Sequence, residues 1–305
     1  MKLVETYLRE LSDIRRSGAA VPETSYYGAL GNLLNEIGKT LKPKVRCIIN
    51  LQNRGAGLPD GGLFTPDQFQ KASDVEPQQG QPPSRGVIEA KPTSNDAWLT
   101  SDGKQVSRYW GKYRQVLVTN FRDFVLVGQD AAGQPAKMET FRLAASETAF
   151  WGAAAQPRKM ADEVGERFVE YLKRVMLHAA PLAAPEDVAW FLASYARDAR
   201  LRIEQRPDLP ALVSVRESLE EALGLKFSSH KGEHFFRSTL IQTLFYGIFS
   251  AWVLWHKETA GRGRFEWVGA LCGAGDSHAT ARTNSSWRST ITPANSPPQN
   301  LFLRI

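Results

Sequence analysis

The segment "GLPDGGLFT" (Gly57–Thr65), followed later in the chain by "GVIEAK" (Gly86–Lys91), decides the fold. Both pieces have the composition of short strands, yet they carry the charged side chains of Asp60, Glu89 and Lys91. Successive side chains of a strand alternate between its two faces, so Glu89 and Lys91 point the same way. The glycines around Asp60 indicate a strand end or a bulge. If the two strands pair, Asp60 and Glu89 meet at one edge of the sheet.

This pattern of charges predicts a divalent-metal site. Two carboxylates at one point repel each other unless a cation neutralises them. Hard oxygen ligands with room for water suit Mg²⁺, so the predicted ligands are Asp60, Glu89 and the Ala90 carbonyl, completed by a scissile phosphate oxygen. Lys91 would then orient or deprotonate the attacking water. The alternative is a surface hairpin in which Lys91 only neutralises Asp60 or Glu89.

Hydrophobic periodicity on either side of these strands predicts an α/β domain over residues 1–145. Amphipathic helices precede the strands, and the polar stretch 66–85 is predicted to be an exposed loop inserted in a hairpin. Another helix is predicted at 101–113. Further strands are predicted at 45–51, 115–119, 123–128 and, at an edge, 138–143.

The remainder of the chain has a different pattern. Residues 146–267 show helical periodicity interrupted by Pro and Gly, which predicts an all-α connector. Its most apolar stretch, Leu240–Trp255, has sixteen residues, whereas a membrane span needs roughly 20. A buried core helix is therefore expected, with no membrane contact. Residues 268–305 are rich in Ser, Thr, Asn and Pro, which predicts an irregular, disordered tail.

Composition narrows the setting in which the protein works. The net charge of +6 fits a polyanionic partner without requiring one. The two cysteines lie far apart in the sequence, which excludes a disulfide framework and a CxxC metal site and favours a reducing compartment. The first sixteen residues carry charges throughout and lack the apolar run of a signal peptide. A cytoplasmic location is expected.

The helix predicted at 101–113 begins a basic stretch. Between residues 103 and 122 there are five basic residues and no acidic one. A basic face beside a metal site would hold DNA phosphates, and the alternative is a solvated basic helix without a ligand. Trp110 and Tyr113 are candidates for stacking on bases, although core packing is expected for at least one of them. The predicted DNA-binding residues are Lys104, Arg108, Lys112 and Arg114.

These motifs together resemble a known family. The Pro-Asp pair, the Glu-Ala-Lys triplet and a helical Gln-x-x-x-Tyr resemble the PD-(D/E)xK nuclease superfamily, in the branch with a QxxxY helix. More closely, "ETSYYGALGNLLNEIGKTL" (Glu23–Leu41), "GVIEAKPT" (Gly86–Thr93) and their neighbours are similar to the N-terminal nuclease and helical connector of restriction–modification enzymes of type IIG or type ISP. In those enzymes an adenine-specific DNA methyltransferase follows. The resemblance covers roughly residues 5–267.

The resemblance implies a restriction-endonuclease-like mixed sheet flanked by helices and a Mg²⁺-dependent cleavage of double-stranded DNA. Asp60, Glu89 and Lys91 would be the catalytic set, and Gln105 and Tyr109 would lie on the accessory helix. Whether the protein acts alone or as a homodimer on DNA stays open.

Glu23 has two interpretations. By the resemblance it is an extra acid near the metal, and by its position it is a first-turn carboxylate favoured by the helix dipole.

The chain departs from the family at its C-terminal end. Neither a glycine-rich S-adenosylmethionine loop in a strand–loop–helix context nor an Asn/Asp-Pro-Pro-aromatic motif is present, and "LCGAGD" (Leu271–Asp276) is only a weak match. Methyltransferase activity is therefore not expected. The chain is expected to be a truncated or frame-shifted gene product. The second functional hypothesis is a non-catalytic DNA-binding or assembly fragment of such an enzyme.

Overall fold

The computed structural model describes residues 2–51, 56–71, 74, 76–78, 80–130, 132–178, 185–205 and 209–259. These residues form two compact units that divide after residue 181. The tail predicted from residue 268 and the last residues of the predicted connector lie outside the described residues.

The first unit is built on a six-stranded sheet with the order β1-β2-β3-β4-β5-β6. β3 and β4 run parallel, and the other neighbouring pairs are antiparallel, so the sheet is mixed. A parallel pair needs a crossover connection, and two helices, α3 (Ala97–Ser101) and α4 (Lys104–Tyr113), provide it. The strands are β1 (Arg46–Ile49), β2 (Gly61–Phe64), β3 (Val87–Ala90), β4 (Val116–Thr119), β5 (Asp123–Gln129) and β6 (Pro135–Arg142).

Helices cover both faces of this sheet. The valines of β4 and β5 pack against α4 on one face. On the other face, the Phe168 ring contacts Tyr7, Phe124 and Phe141, with ring centroids 4.8–6.2 Å apart. The remaining helices of the unit are α1 (Lys2–Arg16), α2 (Tyr27–Gly38), α5 (Glu147–Ala154) and α6 (Pro157–Leu177).

The first unit therefore continues past the predicted boundary at residue 145. Phe168 lies on α6, is completely buried, and fills the layer between that helix and the sheet. The predicted boundary is too early, because the helical periodicity that begins near residue 147 predicts helices without showing what they pack against.

The predicted exposed loop between β2 and β3 is anchored at both ends. Gln68 is only 4% exposed. Its Nε2 donates to the Pro82 carbonyl at 2.6 Å, and its Oε1 accepts from the backbone N–H groups of Thr65 and Ser84 at 3.2 and 3.1 Å. This one side chain joins the two ends of the hairpin insertion, so the loop is held against the end of the sheet.

The outer side of β1 is bound by α2. The Asn35 side chain accepts a hydrogen bond from the Cys47 N–H at 2.8 Å and donates one to the Cys47 carbonyl at 3.0 Å. The Val45 N–H donates to the Gly38 carbonyl at 3.1 Å. A Cβ at Gly38 would lie 1.9 Å from the Val45 carbonyl oxygen, so this approach requires glycine.

The second unit is helical and contains α7 (Pro185–Glu204), α8 (Pro210–Leu223) and α9 (His230–Thr259). α9 includes the apolar stretch Leu240–Trp255, but it has 30 residues, and of these only Phe236, Ile241 and Ile248 are buried. The expectation of a buried core helix is therefore wrong. Among the described helices, α9 alone is long and apolar enough to span a membrane by length and composition.

Candidate functional site

The sheet brings Asp60 and Glu89 together. β2 and β3 are antiparallel with Gly61 opposite Ile88, so Asp60, which directly precedes β2, lies opposite Glu89. Opposite residues of an antiparallel pair share one face of the sheet. Asp60 Oδ2 also accepts a hydrogen bond from the Ala90 N–H at 2.7 Å. The carboxylate of Asp60 is thus fixed to the strand that carries Glu89.

Glu89 is buried and has a partner at each carboxylate oxygen. Its side chain is 1% exposed, and the Lys91 ammonium lies 2.6 Å from Oε1. Gln105 Nε2 lies within hydrogen-bonding distance of Glu89 Oε2, at 3.2 Å, and of the Tyr109 hydroxyl, at 3.0 Å. The predicted accessory pair on α4 therefore reaches the predicted catalytic strand, because α4 packs directly on β3 and β4.

Gly57 allows the chain to pass close to Tyr109. It has φ +112°, and an added Cβ would lie 3.3 Å from the nearest ring atom of Tyr109. A side chain at this position would press against the tyrosine that Gln105 contacts. The glycine-rich turn before Asp60 therefore allows the chain to pass Tyr109 of α4 as well as to enter β2.

Glu23 joins the site through a residue that the sequence did not indicate. Glu23 precedes a single 3₁₀ turn that leads into α2, and its side chain makes no helix-capping hydrogen bond. Instead, Glu23 Oε1 accepts a hydrogen bond from the Tyr27 hydroxyl at 2.6 Å. The same hydroxyl lies near enough to the Asp60 carboxylate to affect its pKa, but its single proton is donated to Glu23. The only signal in the sequence was that Glu23 and Tyr27 are four residues apart.

Burial and mutual repulsion shape the acidity of the cluster. Burial raises the pKa of Glu89 to about 7, with Lys91 opposing the shift and Asp60 adding to it. Burial also raises the pKa of Asp60, against a hydrogen bond from Ala90 and the nearby Tyr27 hydroxyl. Burial lowers the pKa of Lys91, but the neighbouring carboxylates outweigh that effect and raise it overall. Lys91 therefore stays protonated beside two carboxyl groups whose pKa values are raised.

We expect the metal-free protein to lose stability between pH 4.5 and pH 7.5. Folded Glu89 keeps its proton up to about pH 7, whereas the unfolded chain releases it near the ordinary value of 4.5. The folded state therefore binds more protons in this window, and its free energy of unfolding falls as the pH rises, by roughly 3 kcal/mol for this group. Urea unfolding of the wild type and of Glu89→Gln measures the effect. Parallel pH profiles for the two proteins would contradict it.

The residues fit a divalent cation. Among the described residues, no group of three or more His, Cys, Asp or Glu side chains is placed to hold a metal ion. Mg²⁺, however, commonly uses one or two carboxylates with water and substrate phosphate. The N–H groups of Val87 and Lys91 donate to the carbonyls of Gln115 and Thr119, so the N–H and carbonyl groups of Ala90 point the opposite way, toward Asp60. Asp60, Glu89 and the Ala90 carbonyl would offer such an ion three oxygen atoms.

The predicted DNA-binding residues lie at the surface of the same helix or directly after it. Trp110 and Tyr113 are 8% exposed and belong to the core between α4 and the sheet, so neither is free to stack on bases. The prediction of base stacking is wrong for both rings, because their spacing places them on the face of α4 that meets the sheet. The exposed basic residues are Lys104, Arg108, Lys112 and Arg114.

Comparisons with known proteins assign this chain to no family. No protein-family model matches the chain, and no curated protein matches it. Among solved structures, a cryo-EM structure of a DrdV–DNA complex is similar over 51% of this chain and 95% of that chain. The sequence identity is 21% and the TM-score is 0.34. The chain is therefore described by its own architecture: a mixed six-stranded sheet flanked by helices, followed by a helical region.

Proposed function

We propose that the first unit is a Mg²⁺-dependent DNA endonuclease of the PD-(D/E)xK kind, the nuclease part of a restriction–modification protein. The observation that carries this proposal is the arrangement on β2 and β3. Two carboxylates share one face of the sheet, and an ammonium group lies 2.6 Å from one of them. A surface hairpin would leave such groups in solvent, where pairing contributes little. Glu89 is instead almost completely buried, and burying a carboxylate costs free energy unless it is paired and hydrogen-bonded.

Each residue has a separate task in the proposed reaction. A bound Mg²⁺ would lower the pKa of a coordinated water and stabilise the charge that develops on the phosphate. Asp60, Glu89 and the Ala90 carbonyl would hold that ion. Lys91 would orient the attacking water and balance negative charge at the phosphate, and its raised pKa keeps it cationic. Gln105 would hold the Glu89 carboxylate in place through Oε2.

The polyanionic substrate is supported by the surface beside the site. α4 carries Gln105 on the side that faces Glu89, while Lys104, Arg108 and Lys112 are exposed. Arg114 follows the helix in a left-handed conformation and lies over the Trp110 ring at 4.9 Å. One helix thus supports both a carboxylate of the site and a row of cations suited to phosphates.

Neutralising this row is expected to weaken DNA binding without regard to sequence. In the Lys104→Gln/Arg108→Gln/Lys112→Gln variant, each lost phosphate contact should reduce the slope of log affinity against log salt by about 0.9. Fluorescence anisotropy with duplex DNA in Ca²⁺ at several salt concentrations measures the slope. Arg158→Gln/Lys159→Gln, two exposed cations of α6, is the control and should leave the slope unchanged. An unchanged slope in the α4 variant would remove this helix from the interface.

The proposed activity is tested by incubating the complete chain with supercoiled plasmid in Mg²⁺, in Ca²⁺ and in a chelator. Cleavage in Mg²⁺ alone supports the proposal. DNA binding without cleavage under every metal condition would support the second hypothesis, a non-catalytic DNA-binding or assembly fragment. A chain that binds neither DNA nor a divalent cation would contradict both functions.

A further inference from the structure

Arg85, just before β3, is a buried arginine without a partner in the described part of the chain. The residue is 8% exposed, and its Nε is fully buried with no hydrogen-bond partner. Every Asp and Glu between residues 2 and 178 is described, and none of these carboxylates forms an ion pair with Arg85. Burial lowers the pKa of the Arg85 guanidinium, and the exposed Asp67 opposes that shift without contacting it. Since arginine stays charged in proteins, a positive charge is buried here without compensation.

A second buried arginine shows how such a charge is usually satisfied. Arg174 is 4% exposed, and its Nε donates to Glu139 Oε2 at 2.9 Å. Burying a charge costs free energy unless the charge is paired and hydrogen-bonded, and Arg85 has the burial without the carboxylate. A planar guanidinium with unused donors is suited to a phosphate group, which it can bind through two parallel hydrogen bonds.

A β-bulge holds the backbone that carries Arg85. The Leu63 carbonyl accepts from the Arg85 N–H at 3.0 Å, and the Leu63 N–H donates to the Gly86 carbonyl at 3.0 Å. Leu63 therefore faces two residues of the neighbouring strand, which is the defining feature of a bulge. Gly86 has φ +86°, and an added Cβ would lie 2.5 Å from the Gln115 carbonyl oxygen, so this position requires glycine. Bulges change the direction of a side chain, and this one is fixed in place by β4.

We propose that Arg85 is an anion site that takes a phosphate group, with the DNA backbone as the source of that phosphate. The choice of DNA rests on the proposed function, whereas the uncompensated cation does not depend on it. Arg85 lies four residues before Glu89, which is at most roughly 13 Å of extended strand. This length is similar to the width of the DNA major groove, about 12 Å, so one duplex is large enough to reach both residues. Inorganic phosphate offers the same oxygen atoms and is the other source to be tested.

A purely structural role for Arg85 would depend on its aliphatic stem, which can cover apolar surface. Arg85→Met keeps most of that stem and removes the charge. In chloride buffer its midpoint of urea unfolding should equal or exceed that of the wild type, because no partner is lost. Arg174→Met is the matched comparison and should be less stable, because it leaves Glu139 buried without its cation. A loss of stability in Arg85→Met as large as that in Arg174→Met would reveal an internal partner and overturn the proposal.

The first binding measurement needs neither DNA nor metal. Thermal unfolding is followed in inorganic phosphate and in chloride at equal ionic strength. We expect phosphate to raise the Tm of the wild type, since a ligand that binds only the folded state stabilises it. In Arg85→Met the apparent affinity for phosphate should fall by about tenfold or more, the effect of losing a charged hydrogen bond. Arg158→Met removes an exposed cation of α6 and should respond as the wild type does.

The second binding measurement tests the source of the phosphate. Fluorescence anisotropy with duplex DNA in Ca²⁺ should show that Arg85→Met binds about 10- to 100-fold more weakly, with the slope of log affinity against log salt reduced by about 0.9. A lost phosphate response with unchanged DNA binding would assign the site to free phosphate and overturn DNA as the source. Equal behaviour of Arg85→Met and Arg158→Met in both assays would overturn the anion site. A wild type that responds to phosphate through Arg85 but binds no DNA would instead contradict the proposed function.

Discussion

Replacing Lys91 with alanine is expected to reduce the single-turnover rate of DNA cleavage by about 10²- to 10³-fold, the effect of removing one electrostatic donor from a transition state. The variant keeps Asp60, Glu89 and the Ala90 carbonyl, so the oxygen ligands remain. The affinity for DNA, measured in Ca²⁺, should change little, because one partly buried lysine adds little to a footprint of many phosphates. The loss should therefore fall on the rate and not on binding.

The experiment must separate the effect of Lys91 on the cleavage step from its effect on the protonation of Glu89. Burial already raises the pKa of Glu89 to about 7, and Lys91 opposes that shift. Without Lys91 the Glu89 carboxyl would therefore hold its proton more tightly. Cleavage should accordingly be measured near pH 8.5 and at saturating Mg²⁺. Lys159→Ala, an exposed lysine of α6, is the matched control and should cut at the wild-type rate. A Lys91→Ala enzyme that cuts as fast as this control would remove the Glu-Ala-Lys triplet from the catalytic machinery.

Asp60→Asn is expected to abolish cleavage by a different route. The asparagine oxygen still accepts from the Ala90 N–H, so the fold at the start of β2 is kept, but the negative charge that attracts the cation is gone. The charge stabilisation supplied by a metal is worth several kcal/mol in the transition state, which corresponds to about a thousandfold in rate. Calorimetric titration with Mn²⁺ should show the lost binding directly.

The carboxylates and the lysine should behave as one unit. Once Asp60→Asn has removed the cation, adding Lys91→Ala should lower the residual rate by much less than it does in the wild type. Circular dichroism and thermal unfolding of the metal-free variants check that the fold is intact. Multiplicative losses in the double variant would mean that the two residues act independently, which contradicts a shared metal–lysine site.

The parts of this structure that depend on local pattern could be predicted from the sequence. Alternation along β3 predicts that Glu89 and Lys91 share a face, and apolar runs predict the strands from β1 to β5. The predicted edge strand at 138–143 corresponds to β6, which lies at the end of the sheet. These features depend on residues a few positions apart, where the geometry of a strand or helix fixes the outcome.

The parts that depend on packing between distant segments could not be predicted. α6 belongs to the first unit because Phe168 packs on Phe124 and Phe141 of the sheet, which no local pattern records. The apolar sequence of α9 indicates burial, yet the described residues of its unit cover little of it.

The contact between α2 and β1 decides how two copies of the sheet can meet. A strand from another molecule could pair with the outer side of β1 only by displacing the Asn35 amide from Cys47 and the Gly38 carbonyl from Val45. Exposed strand edges are the usual starting point of aggregation, and covering them is a common defence. The β1 edge, on the side of the sheet nearest the candidate site, is therefore protected against strand pairing with another molecule. Two copies of the chain would therefore need a route other than strand pairing at β1 to associate.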